Sequence, residues 1–356
     1  MASIYKTFNN DDITTITTLL HESIPIPGSI VSGTYNDLNI LNFSHDMWQA
    51  VYDYPYNSSS ANHIFDITVG HHTSSTTVLG SDTLNKKKTI IYNTHAQRLM
   101  GYDVTGSIKQ FSHNANDTAP YIKEGYFIDF SRLLVKDEIK KGSFQIVLGV
   151  GSWNSPTDTL ITVSDAGAAS DYKVDSPAGE YAILSSSNSG STGLIFYQAG
   201  IALIGTSSFV GGNGVTDWLL VGSQNRNIAT AISSSAVSAS ANAFRRRLSS
   251  LQFNNTTELH STIYFCRVNH NEGNYTSNPT ALSSSKLVVK QTANAAPVTF
   301  ITSVGGFSAD NELLWVAKLS EPIRKDPTTE LTLRVRTDWV FAFCIATKLL
   351  LSYLAF

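Results

Sequence analysis

Apolar and polar positions change rhythm several times along this chain, and each rhythm predicts an element. In "NNDDITTITTLLHESI" (9 to 24), amide and acid capping residues precede Ile13, Ile16, Leu19 and Leu20 at helical spacing, which predicts a short amphipathic helix. Pro25 and Pro27 then end it, because each ring removes a donor and restricts the residue before it. "NHIFDITVG" reads as a strand between polar loops, and "KKKTIIYNTHAQRLMGYD" (86 to 103) as a helix closed by Gly101.

From "GYFIDFSRLLVKDEIKKGSFQIVLGVG" onward, runs dense in Phe, Ile, Val and Leu alternate with glycine or polar turns. "TLITVSD", "GEYAILSSS" and "GLIFYQAGIALIG" repeat the arrangement, as buried or half-buried strands do. Residues 227 to 248 are rich in Ala and Ser, hold no Pro or Gly, and end in "FRRRL", which predicts a helix or a helix pair. "STIYFCRVN", "SSKLVVKQ" and "PVTFITSVGGF" return to strand character. "NELLWVAKLSEPIRKDPTTELTLRVRTDW" predicts a hairpin-like pair with Pro322 and Pro327 in its connection. No period of 20 to 50 residues is visible, which argues against a solenoid or propeller. The pattern predicts an α+β, mostly β protein of antiparallel strands with long polar loops and a few short helices. Its expected regions are 1–140, 141–250 ending in the Ala/Ser-rich helix, 251–339, and an apolar tail, 340–356.

That tail, "VFAFCIATKLLLSYLAF", is nearly continuous in apolar residues. A membrane helix takes roughly 17 to 25 of them, and Lys348 interrupts this run. It reads as a marginal anchor, a helix docked on a partner, or a segment foreign to the fold such as a frame-shift product.

Composition narrows the function. The 356 residues carry a formal charge of -3, with 15% charged. No protein-wide field draws nucleic acid or an anionic membrane, and neither is expected as a partner. Neutral polar residues dominate instead, as in "SSSNSGST". The start, "MASIYKTFNNDD", lacks the basic and apolar segments of a secretory signal, so folding in a cytosol is expected, and sequons such as Asn57-Ser-Ser carry little weight. Cys266 and Cys344 sit in unlike surroundings and imply no disulfide framework.

Candidate chemistry is sparse. "GVGSWN" and "GGNGV" lack the lysine and hydroxyl of a phosphate cradle, and no G-x-S-x-G occurs. His71 and His72 are adjacent on a strand end, so they face opposite ways and a loop or surface role is expected. Cys266 and His270 share a face, yet nothing supplies further zinc ligands, and Cys266 reads as a small buried hydrophobe. Asn269, Asn271, Asn274 and Asn278 around Gly273 read as a turn whose amides serve local backbone. Lys86 to Lys88 and Arg245 to Arg247 read as solvated faces or interfacial ion-pair donors, the arginines offsetting a helix dipole. The acids Asp129, Asp137 and Glu138 fall in strand-like or charged surface contexts and form no obvious catalytic pair. Arg245, Arg246, Arg247, Asn269, Asn271, Asn274 and Tyr275 are the candidate interface residues. No catalytic, cofactor-binding or metal residue is expected, and no cofactor.

The stretches "NHIFDITVG", "SRLLVKDEIKKGSF", "SPAGEYAIL", "GLIFYQAGIALI", "QFNNTTELHSTIYFCRVNHNEGNYTSNPT" and "DNELLWVAKLSEPIRKDPTTELTLRVR" resemble a family of virion structural proteins. These belong to contractile-tailed phages infecting marine cyanobacteria and other marine bacteria. The resemblance covers about residues 1 to 339 and departs at the tail. It implies a non-enzymatic subunit, and the closing "AKLSEPIRKDPTTELTLRVR" is similar in style to tail and baseplate wedge proteins. Implied partners are other virion proteins, in a homo- or hetero-oligomer. A tail-fibre-like adhesin binding host glycans through residues 269 to 278 is the alternative.

Overall fold

The computed structural model describes residues 6–31, 37–75, 82–114, 119–168, 170–187, 190–210, 218–221, 224–276, 278, 282–290, 292–338 and 348–354. Its antiparallel ladders outweigh a few helices, so the fold is α+β and mostly β. Two compact units share the chain: Leu20–Thr257, and Met1–Leu19 with Glu258–Phe356. The division falls inside two long strands, Ile13–Pro27 and Leu248–Val268.

In the larger unit one sheet runs through Gln145–Gly149, Leu160–Ser164, Gly179–Ser186, Gly190–Phe196, Ile201–Gly205, Glu124–Phe130, His63–His71, Gln49–Tyr52 and Ile40–Asn42 in that order. Its central strands are apolar on both faces because both are covered. Tyr126 and Phe127 show how: neighbours on a strand point to opposite sides. Phe127 meets Tyr92 and His95 of the helix Thr83–Leu99, with His95 stacked 4.2 Å away. Tyr126 stacks on Phe244 of the helix Val237–Arg246 at 4.7 Å and accepts a 2.8 Å hydrogen bond from Trp218. Ile201, Ala202, Leu203 and Ile204 are buried in succession as a result. The helix Thr83–Leu99 lies directly on the sheet at Gly70, where an added Cβ would stand 2.9 Å from the Tyr92 nitrogen and 3.1 Å from the Lys88 carbonyl oxygen. Gly101, at φ +74°, lets the chain leave that helix.

The helix expected over residues 9 to 24 is corrected. Asn9 and Asp12 do form a capping box, but it closes a single 3₁₀ turn, Asn10–Asp12, and the strand Ile13–Pro27 follows. Ile13 to Thr18 is an unbroken β-branched run, which favours extended backbone over helix. The strand lies at the end of its sheet order, beside Leu248–Val268. Glu22 aims its N–H at the Asn255 side chain of that neighbour, 3.1 Å away. Backbone donors alternate sides, so the odd-numbered positions face outward. Pro25 and Pro27 therefore delete donors only on the free edge, where a strand tolerates them.

In the smaller unit the order is Lys6–Thr7, Lys348–Leu354, Thr299–Phe307, Leu313–Lys325. Leu331–Thr337 pairs instead with the end of the long strand, from Thr262 opposite Thr337 to Val268 opposite Leu331. Tyr264, Cys266 and Val304 form a small core flanked by Phe8, Ile13, Leu314, Trp315, Leu333 and Val335. The hairpin expected over 311 to 339 is thus corrected, since its two strands take different partners. Pro322 is also not in the connection. It lies within Leu313–Lys325, an edge strand, in the irregular stretch between the pairs Ile301–Ile323 and Ser303–Lys318.

The apolar tail supplies a strand rather than either helix expected of it. Lys348–Leu354 is bonded on both sides, to Thr299–Phe307 and to Lys6–Thr7, as a member of that sheet. Residues 340–347 lie outside the described residues. Among the described residues, no helix is long and apolar enough to cross a membrane.

Candidate functional site

The basic triplets occupy other places than their sequence suggested. Arg245 and Arg247 are buried, at 2% and 0% exposure, which corrects the solvated, interfacial reading for both. Arg245 Nη2 donates to Asp37 Oδ1 at 2.7 Å and to Asn242 Oδ1 at 3.1 Å. Arg247 Nη1 donates to the carbonyls of Gly149 and Gly151 at 3.2 and 2.7 Å, and its guanidinium lies 4.5 Å from the centre of the Trp218 ring. A helix C-terminus at the sheet surface turns two of the three side chains inward. Arg246 alone stays exposed, over Trp153 at 4.4 Å. Lys88 is likewise buried rather than solvated, while Lys86 is exposed.

The turn after the long strand is self-engaged. Asn274 Nδ2 donates to the His270 carbonyl at 2.8 Å, and Asn274 Oδ1 accepts from the buried Lys325 at 2.8 Å. The backbone of Asn269 exchanges bonds with Glu272, whose carboxylate also takes Lys6 at 2.8 Å. That ammonium holds the Glu272 carboxyl below its usual range. Asn274 therefore serves the fold, and of the residues expected at an interface here only Asn269, Asn271 and Tyr275 are exposed. Cys266 is free and buried, and burial pushes its thiol up to about 12, so it is no nucleophile at neutral pH. His71, expected at a surface or loop, is buried at the end of its strand.

Strand register assembles what spacing could not reveal. Asp66 stands directly opposite Asp129 on the neighbouring strand, where facing Cβ atoms are about 4.5 to 5.5 Å apart. Each carboxylate has an imidazole: His63 Nε2 lies 2.8 Å from Asp66, and His95 Nε2 lies 3.8 Å from Asp129. The Asp66 hydrogen bond raises the His63 pKa despite its partial burial. Among the described residues no group of three or more His, Cys, Asp or Glu is arranged to hold a metal ion.

A separate concavity of about 700 Å³ lies in the larger unit, lined by His72, Asn93, Asp103, Lys109, Gln110 and Tyr121 among others. It gathers side chains from the helix Thr83–Leu99 and from the loops on either side of it. No sequence motif marks it, because its residues are scattered polar types that only the fold brings together. No protein-family model, no characterised protein sequence and no solved structure matches this chain.

Proposed function

We propose that the chain is a non-enzymatic structural subunit of a contractile-tailed phage virion, a tail or baseplate wedge component that assembles through its sheets. The observation that carries this reading is the free edge of Ile13–Pro27. That strand ends its sheet order, and its Ile16, Leu19 and Leu20 side chains are 42%, 50% and 51% exposed. From Ile13 to Ser23 it holds no lysine, arginine or proline, the residues that usually guard an edge. An edge open over that stretch is a liability in a lone chain and an asset in a subunit that a neighbour covers. Leu313 and Val316, each 55% exposed on an edge strand of the smaller unit, support the same reading. The quoted stretches that resemble virion structural proteins support the placement in a particle.

Mass spectrometry of purified virions should find the chain in stoichiometric copies, and a particle map should place its density in the tail. Absence from particles rules the proposal out. A second reading, a glycan-binding adhesin, is favoured by the polar concavity rather than by the 269–278 turn.

A further inference from the structure

The concavity beside the helix Thr83–Leu99 has its charges already spent. Asp103 Oδ1 accepts from the Thr105 backbone at 2.8 Å, the Thr105 hydroxyl at 2.6 Å and the Ser107 backbone at 3.0 Å. Lys109 Nζ is bound to Asp175 Oδ2 at 3.2 Å. The groups left over are neutral. Gln110 keeps a buried Oε1 with no partner among the described residues, an acceptor whose hydrogen bond is unmet. Asn93, half-buried on the helix, has no side-chain partner among the described residues either. His72 accepts the Ser74 N–H on Nδ1 at 3.1 Å, which leaves Nε2 as the nitrogen that bears the proton and donates. Burial and the nearby Lys123 lower the His72 pKa, consistent with that neutral tautomer. Tyr121, 37% exposed, adds a flat ring and a hydroxyl.

We propose that this concavity binds a neutral saccharide of one to three rings. Vicinal hydroxyls both donate and accept, which matches two amides and one imidazole N–H. A pyranose C–H face fits an aromatic ring. A volume near 700 Å³ suits a ligand of that size. An anionic sugar would meet the Asp103 carboxylate, and Lys109, the lysine among the described lining residues, is already bound to Asp175. The site stands on its own geometry, whether or not the chain is a virion subunit.

The full chain, printed against an array of neutral hexose and N-acetylhexosamine oligosaccharides together with sialylated and uronic acid ones, tests it. Saturable binding to neutral members is expected, followed by titration calorimetry of the best of them. Gln110→Ala and Tyr121→Ala, each checked for an unchanged melting temperature, should weaken binding at least tenfold, while Tyr275→Ala should leave it unchanged. If either variant fails to fold, Asn93→Ala takes its place with the same expectation. No binding, binding confined to charged glycans, or loss on Tyr275→Ala overturns the proposal.

Discussion

Lys88 carries its ammonium to the carboxyl end of the helix Ile228–Ser234, where it donates to the carbonyls of Ile232 and, at 2.7 Å, of Ser235. Those carbonyls have lost their intrahelical partners, and a cation meets both their hydrogen-bonding need and the helix dipole. Burial nonetheless lowers the Lys88 pKa to about 8, against 10.5 for the free side chain. Between those values the unfolded chain binds more protons than the folded one, so this group makes stability rise with pH from about 8 to about 10.5. Lys88→Met should lose that slope. Urea unfolding of both proteins across pH 7 to 10.5 should show the parent gaining on the variant, and parallel curves would remove the argument. Arg247 shows why charge alone does not define such sites. Its Nη1 bonds two carbonyls while the planar guanidinium lies over the Trp218 ring, and the shorter-reaching, compact ammonium of a lysine cannot keep both the bonds and the ring contact from the same backbone position. Arg247→Lys should cost about 2 to 3 kcal/mol and lower the melting temperature, whereas the exposed Arg246→Ala should cost under about 1 kcal/mol. Neither "KKK" nor "RRR" announces which member turns inward. The sequence pattern reports polarity, while depth depends on the crossing of a helix with a sheet.

At the scale of elements, the helix Thr83–Leu99, expected over 86 to 103, and the central strands were legible, the helix from the glycine that closes it and the strands from their dense apolar runs. Gly101 closed the helix as its position implied. Residues 9 to 24 were misleading because Ile13, Ile16, Leu19 and Leu20 satisfy helical spacing while the threonines between them favour a strand; the neighbour Leu248–Val268 decides. The strand Lys348–Leu354 was hidden for a related reason, since a strand bonded on both sides looks, in one dimension, like a short apolar helix. Removing residues 340 to 356 should expose the Thr299–Phe307 edge and strip Lys6–Thr7 of its partner. Lower solubility and an added early transition on heating are expected. A truncated chain that melts and behaves like the parent would make the strand an ornament. Asp66 and Asp129 were each readable as a strand acid, yet their facing arrangement needs the register of two strands more than sixty positions apart.

For the whole molecule, the larger unit invests its apolar residues inward, with helices on both faces of its sheet, while the smaller unit keeps a core of few residues. Exposed leucines on strand edges are then the features that a neighbour would cover. Leu19→Lys with Leu20→Lys should leave the isolated chain folded, as judged by circular dichroism, and prevent its incorporation into particles in a complementation assay. Incorporation at the parental level would remove the edge from the assembly argument. The two prolines that close this edge set a limit on what it can receive. A visiting strand can zip alongside as far as Ser23 and then finds carbonyls but no amide hydrogens at Pro25 and Pro27, so growth halts there. The edge therefore carries its own limit of length, about one short strand from Ile13 to Ser23.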